Sequence, residues 1–539
     1  MTENADVARA LKEIADLLDL LGERFKPEAY RRASRSVESL TEDLGDVARR
    51  DQLREVPGVG EAIEEKIREF LRSGTIAYLD KLRAEVPPGV LDLMRIPGVG
   101  PKTARRFWTE VGVESPGGLR TAIEAGKLVG LSGFGPTKIQ KILSSLDLAS
   151  TAGHRRPLRE AADVAERIVG FLRERAPVEQ IEVAGSFRRR RESIGDLDIL
   201  VTSSESERVL EAFGTMEGAT VTLRGPTKET IRTADGWQVD LRVLAPESFG
   251  AALQYFTGSK DHNVATRSLA RDRGLKINEY AVMRGEERLP SATELDIYRA
   301  IGLPWIPPEI RESQGEIEAA RAGRLPALLE PADLRGELHI HAGTTADSTA
   351  LDALVEAAAR SGLDYLGLVA ESDAESARLR SWAARRHTPT VLVGREARFG
   401  AEEPGGSPAF VIWSTEGVEP PTPSGAGARH DVPAWLGHLG GDPEQPTLSR
   451  RISGWATWAK AANVPLEVTP GPAYDGLDAV SCKRFVDGGG RIVVSEMGCG
   501  TERARALAVG TARRAWVTTA SVLNAGAWPW SSTVPSGRP

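Results

Sequence analysis

Cysteine is nearly absent, with Cys482 and Cys499 the only two among 539 residues. Two thiols cannot build a disulfide framework, so a reducing cytoplasmic compartment is expected. Histidine is also scarce, at 7, and the two counts together argue against a cysteine-rich zinc module. No apolar run approaches the roughly 20 residues that span a bilayer. The first residues, "MTENADVARA", lack the apolar core of a signal peptide, so no membrane partner is expected. The net charge of −7 supplies no chain-wide attraction to a polyanion. Phosphate binding must then come from local patches.

The composition is that of a globular protein, 41% hydrophobic and 27% charged. A chain of 539 residues is too long for one core and should divide into several domains. The first 150 residues have the apolar spacing of helices, as in "ADVARALKEIADLLDLLGERF". Between about 178 and 245, "QIEVAGSF", "GDLDILVTS", "ATVTLRG" and "GWQVDLRVL" are short β-branched segments bounded by Gly, Asp and Ser, which predicts strands. From about 335, "GELHIH", "YLGLVA", "TVLVGREA", "AFVIWS", "PLEVTP" and "RIVVSE" alternate with helical stretches, which predicts an α/β layered or barrel domain. Residues 401–430, rich in Gly, Pro and Ser, are expected to form a long loop.

One unit recurs before residue 150: "VPGVGEAIEEKI", "IPGVGPKTARRF" and, more loosely, "LSGFGPTKIQKI". Two glycines flanking an aliphatic residue and leading into a helix make a tight hairpin, and the helix start then presents unpaired N–H groups to an anion. This is the design of a helix-hairpin-helix that grips a DNA phosphate without reading bases. Gly58, Gly60, Gly98, Gly100 and Lys102 are the candidate DNA-binding residues.

Asp196 and Asp198 in "GDLDIL" alternate on a predicted strand, so both point to one face. Two carboxylates that close repel each other unless a cation lies between them, and hard oxygen ligands suit Mg²⁺ or Mn²⁺. Asp240 in "GWQVDLRVL" is a third acid on a strand able to pair alongside, and three acids can hold two metals. Upstream, Gly185 and Ser186 offer N–H groups and a hydroxyl to a phosphate tail, and the arginine run "RRRR" at 188–191 offers charge.

"GSFRRRRESIGDLDILV" together with "VDLRVLAPESFGAALQYFTGSKDHNVATRSLARDRGLKINEY" resembles the family X DNA polymerases, the nucleotidyltransferases that include DNA polymerase beta. The likeness runs in order through residues 1 to about 312. It implies a multidomain α+β chain: a helical lyase-like domain over 1–85 and a second helix-hairpin-helix subdomain over 86–150. A nucleotidyltransferase palm with a mixed sheet (151–249), a thumb (250–312) and a linker (313–334) would follow. It implies that Asp196, Asp198 and Asp240 bind the metals, with Asp240 accepting the primer proton. Gly185, Ser186 and Arg189 would hold the triphosphate. Tyr255, Phe256 and Gly258 would form the wall at the sugar 2′ position, and Asn263 would reach the base. Lys66 matches the family lysine that forms a Schiff base with a 5′-deoxyribose phosphate, but Ala62 stands where the family has a phosphate-holding lysine.

"LRGELHIHAGTTADS" resembles the start of a polymerase and histidinol phosphatase (PHP) domain, a distorted β/α barrel, here over 335–528 with a disordered tail at 529–539. His339, His341 and Glu396 match ligand positions, and His438 matches another. Glu371 with Ser372, and Glu496, Met497 and Gly498, stand where the family places further ligands. The expectation is a partly degenerate barrel that is structural rather than nucleolytic. The whole chain is then expected to be a monomeric, nucleoid-associated polymerase acting on gapped or primer-template DNA and deoxynucleoside triphosphates. The alternatives are a PHP exonuclease and a non-catalytic gap-binding scaffold.

Overall fold

The structure is a computed structural model. It describes residues 4–40, 44–94, 96, 99–128, 131, 134–135, 139, 142–143, 146, 155–341, 347–385, 388–399, 408–415, 418, 420–421, 434–437, 448–469, 477, 479–495 and 502–526. The chain divides into two compact units, Met1–His154 and Arg155–Pro539.

The first unit is helical. Long amphipathic helices at Asn4–Leu21, Lys26–Ser39, Glu61–Ser73 and Pro101–Val111 bury Leu11, Ile14, Ile67 and Phe107 in one shared core. Each "PGVG" stretch leads in sequence into one of these helices, with Gly60 and Gly100 as their N-caps. The Val59 N–H donates to the Val56 carbonyl (3.0 Å), and the Val99 N–H donates to that of Ile96 (2.9 Å). The looser third copy repeats this bond from Phe134 to Leu131 (3.0 Å), and Val59, Val99 and Phe134 all enter the core. The repeat therefore lies in backbone geometry as well as in spelling. Gly58 adopts φ +88°, a region that L side chains rarely occupy.

The second unit holds two sheets that matter for function. The palm sheet contains β1 (Gln180–Val183), β2 (Leu197–Thr202), β3 (Thr220–Arg224), β4 (Lys228–Arg232) and β5 (Gln238–Leu244). Its spatial order is β1-β2-β5-β4-β3, with β2 and β5 parallel and the other pairs antiparallel, a mixed sheet. Behind it the helix Leu158–Arg175 buries Ala161, Ile168 and Leu172 against Ile199, Val201 and Leu241. Beyond the palm, the helices Phe249–Thr257 and Lys260–Asp272 lead to a small three-stranded antiparallel sheet over 276–289. Residues 313–334, expected as a linker, carry the helix Glu316–Arg321. Ile317 joins the thumb core, and the buried Glu316 accepts from the Ser313 and Gln314 N–H groups and bonds His262 (2.6 Å).

The C-terminal sheet has seven parallel strands in sequential order: β6 (Gly336–His341), β7 (Tyr365–Ala370), β8 (Thr390–Arg398), β9 (Val411–Ser414), β10 (Ala434–Gly437), β11 (Leu466–Val468) and β12 (Ile492–Val494). It curls into a nearly closed barrel whose strands are largely buried and rich in Val, Ile and Leu, with Glu337, His339 and Glu467 as buried polar exceptions. The 529–539 tail and most of 401–430 lie outside the described residues. Among the described residues no helix is long and apolar enough to cross a membrane.

Candidate active site

The site forms where β2 and β5 run side by side. Asp198 and Asp240 are register partners across that parallel pair, and Asp196 immediately precedes β2. Burial raises the Asp198 carboxyl to about 7, helped by repulsion from Asp196 and Asp240. Asp196 is also pushed up, by partial burial and by Asp240, against the opposing pull of Arg155. Three oxygen donors that repel one another in this way are a donor set suited to a hard divalent cation. Asp240 is held in place by two groups that sequence reasoning missed. Thr230 Oγ1 donates to Asp240 Oδ1 (2.5 Å), and Gln238 Nε2 donates to Oδ2 (2.9 Å).

Gly185 lies against this cluster with φ +62°, and a Cβ there would sit 2.6 Å from Asp198 Oδ2. Only glycine fits such an approach, which puts the Gly185–Ser186 turn and its N–H groups beside the acids. The arginines that follow divide by partner. Arg188 makes a two-pronged bond to Glu294 (2.8 and 2.9 Å) and also donates to Thr257 Oγ1 (2.9 Å). Arg189 donates to Glu312 (3.0 Å) and to the Thr257 carbonyl. Arg190 lies over the Phe187 ring, and Arg191 is 3.6 Å from Glu312. Glu294 also receives Arg311 and, at 3.0 Å, Trp305 Nε1. Burial raises its pKa, but these cations win and hold it well below the usual carboxylate range.

Tyr255 and Phe256 meet edge to face at 5.0 Å, and the Arg242 guanidinium lies 4.3 Å from the Phe256 ring centre. Gly258, at φ +71°, follows them, with Arg189 Nη1 3.1 Å from where its Cβ would be. Asn263 is buried, donating to the Tyr255 carbonyl (2.7 Å) and accepting from Gln254 (2.8 Å). In this state its amide braces the aromatic turn.

Comparison with known proteins agrees with this geometry. The DNA polymerase beta palm family matches residues 155–227, and the DNA polymerase beta thumb family matches 252–312. A helix-hairpin-helix domain matches 2–76, and a SAM-like helix-hairpin-helix tandem matches 90–147. The chain is 32% identical over 373 residues to the DNA polymerase/3′-5′ exonuclease PolX of Bacillus subtilis, covering 68% of this chain and 65% of that one. It belongs to the family X DNA polymerases. Identity is 25% over 343 residues with DNA polymerase lambda of Rattus norvegicus (57% of this chain, 56% of that one) and 23% over 345 residues with that of Arabidopsis thaliana (57% and 62%). The matched stretch spans less than two thirds of each relative's own length.

Family X polymerases are metal-dependent nucleotidyltransferases, and the palm acids are the donor set that fits. In the helical unit of this family X chain, Lys66 donates to the Ala62 carbonyl (3.0 Å) and lies 5.0 Å from the Tyr78 ring centre. Glu64 is bonded to Arg54 and Arg68. Lys102 is exposed one residue into its helix, while Gly98 lies outside the described residues.

The near-closed C-terminal barrel fits the PHP architecture. His339, His341 and Glu396 offer ligand atoms within 4.8 Å of one another, and Glu371 lies 4.0 Å from His341. The two histidines do not simply alternate. A register shift between Glu337 and Ile340 leaves His339 at φ +67°, and this bulge brings the rings to 5.1 Å. His339 Nδ1 donates to Glu467 (2.7 Å), the carboxylate–histidine pairing that orients a ligand ring. His438, Glu496, Met497 and Gly498 lie outside the described residues.

Proposed function

We propose that the chain is a DNA-directed DNA polymerase that fills short gaps in repair, including base excision repair, as a monomer at the nucleoid in the cytoplasm. Its substrates are gapped or primer-template DNA and deoxynucleoside triphosphates. One observation carries this reading: Asp198 and Asp240 face each other in register, with Asp196 beside them and the Gly185 turn pressed against the Asp198 carboxylate.

Asp196, Asp198 and Asp240 would hold two Mg²⁺ or Mn²⁺ ions, which supply positive charge to the reacting phosphate when bound. Gly185 and Ser186 present N–H groups and a hydroxyl to the triphosphate, and Arg189 adds charge on exchanging Glu312 for phosphate. Tyr255 and Phe256, turned by Gly258, wall off the sugar 2′ position, and Asn263 serves the base edge. The primer 3′-oxygen bonds to the α-phosphorus while the α,β-bridging bond breaks. Pyrophosphate leaves, and the hydroxyl proton passes to Asp240, which Thr230 and Gln238 orient. Gly58, Gly60, Gly98, Gly100 and Lys102 grip the DNA backbone. The Lys66 amine condenses with the C1′ aldehyde of a 5′-deoxyribose phosphate to a Schiff base with loss of water, from which the 3′ phosphate-linked strand leaves by β-elimination.

Insertion of one nucleotide into a gapped duplex tests this reading, with Asp198→Ala and Asp240→Ala as controls. Undiminished insertion by either variant would refute the triad. The gathering of His339, His341 and Glu396 favours a second activity, metal-dependent 3′-5′ exonuclease chemistry in the barrel. Digestion of labelled single-stranded DNA with Mn²⁺ and no nucleotides should then survive Asp240→Ala and disappear in Glu396→Ala.

A further inference from the structure

The barrel's last long helix, Glu502–Arg514, turns one face to the palm. Leu507 is buried within the palm's own core beside Ala162 and Ala165. Gly510 lies under the stem of Arg190, so closely that a Cβ would meet its Cγ at 2.6 Å. Arg514, 7% exposed, pairs with Glu192, and that carboxylate also accepts from the Ala479 N–H of the barrel (3.4 Å). Burial would push Glu192 up, but Arg514 overrides it and holds the carboxyl down at about 2. Next along the helix, Arg513 reaches Glu309 of the thumb (2.9 Å) and the Leu329 carbonyl (3.1 Å).

The contacts of Gly510, Arg514 and Ala479 fall on one short stretch of palm. Arg190 and Glu192 belong to the seven-residue span that joins the Gly185–Arg188 turn, the triphosphate end, to Asp196, the metal end. Within that span the Arg191 N–H donates back to the Ser186 carbonyl (3.0 Å), and the Glu192 carbonyl receives the Leu158 N–H (3.0 Å). The Ala184 N–H donates to the Asp198 carbonyl (2.7 Å), which ties one end of the turn to β2 directly. The 189–195 span is the second tie between the turn and Asp196, and its outer side chains are fastened to the barrel.

We propose that the barrel is a brace for the polymerase site, with Glu192, Arg514 and Gly510 as positioning residues that fix the 189–195 loop and, through it, Ser186 relative to Asp196 and Asp198. The role is independent of any metal in the barrel, and it rests on the polymerase reading only for its kinetic consequence. A displacement of about 1 Å at a reacting centre can cost on the order of 100-fold in rate. Loosening one anchor at the periphery should cost about 10-fold.

The test compares full-length wild type, Arg514→Met, Arg514→Glu and the charge-exchanged double variant Glu192→Arg with Arg514→Glu. Each is read by single-nucleotide insertion on gapped DNA, gapped-DNA affinity, circular dichroism and hydrogen exchange over 185–198. In Arg514→Met and Arg514→Glu, kcat for insertion should fall by about 10-fold while DNA affinity and dichroism hold, and exchange over 185–198 should speed up. The double variant should recover most of both. Wild-type exchange over 185–198 in Arg514→Met overturns the brace. So does a loss of insertion that tracks unfolding and is not recovered by charge exchange. The exchange measurement needs no catalysis, so a wild type that inserts nothing would sink the polymerase reading while the brace is still judged.

Discussion

The palm and the barrel both gather carboxylates on the strands of a sheet, yet they treat the resulting charge in opposite ways. In the palm, Asp196, Asp198 and Asp240 crowd one another, and the hydrogen-bond donors to Asp240 are the neutral Thr230 and Gln238. The pull of Arg155, Arg189 and Arg242 does not offset burial and repulsion at Asp196 and Asp198. In the barrel, Glu467 already has His339 and Ser495 Oγ (2.6 Å) as donors, and Glu396 has two imidazoles beside it. A site that compensates its charge internally holds its own shape. A site left electrostatically short is ready for a substrate that arrives as a polyanion with its counter-ions.

The largest expected effect breaks this comparison outright if it is wrong. Asp198→Ala or Asp240→Ala should lower single-turnover insertion by about 1,000-fold or more. Glu396→Ala should leave insertion within about twofold of wild type, because the barrel acids take no part in that step. Equal losses in both regions would mean that the barrel cluster shares in the chemistry.

A smaller effect follows from the raised Asp198 pKa. Its folded value near 7 exceeds the unfolded value of about 3.9, so the protonated carboxyl favours folding below the lower figure. That contribution is lost as pH rises through 7. Without divalent ions the chain should therefore melt a few degrees lower at pH 8 than at pH 5.5. Adding Mg²⁺ or Mn²⁺ should recover more at pH 8, since a ligand of the native state stabilises by mass action. Thermal melts with a chelator and with each ion measure this. Asp198→Asn should abolish the pH difference and Glu396→Gln should not.

Much of the palm was legible because its key strands are β-branched and their acids fall at period two. "DLDILV" and "VDLRVL" announce both the strand and the face it shows. The strand β4 between them was not visible. Its inward positions are Glu229 and Ile231, and a fully buried glutamate, paired with Arg224 (2.9 Å), spoils the apolar alternation. Thr230, which orients Asp240, went unseen with it. In the barrel, β10 is only "AWLG", too short for a period to register. The arginine run was legible as charge but not as function, because its partners lie far along the chain. Glu294 is 106 residues from Arg188, and Gly510 comes from the far end of the barrel. Such pairings leave no local pattern to read.

The sharpest form of the comparison removes the same chemical group from each region. Thr230 Oγ1 donates to Asp240 at 2.5 Å, and Ser495 Oγ donates to Glu467 at 2.6 Å. A hydrogen bond to a charged group contributes about 1.5–3 kcal/mol net, so the two deletions begin from similar energies. Thr230→Val keeps the side-chain shape and takes away one donor from a carboxylate that must face the reacting atoms. Its cost should appear as an about 10-fold fall in kcat for insertion with little change in melting temperature. Ser495→Ala takes a donor from a carboxylate whose work is to hold His339. Its cost should appear as about 1–2 kcal/mol of barrel stability, with insertion unchanged. If the brace transmits barrel loosening to the palm, hydrogen exchange over 185–198 will rise in Ser495→Ala while insertion is unchanged. A simple loss of stability confined to the barrel would leave that segment as protected as in the wild type.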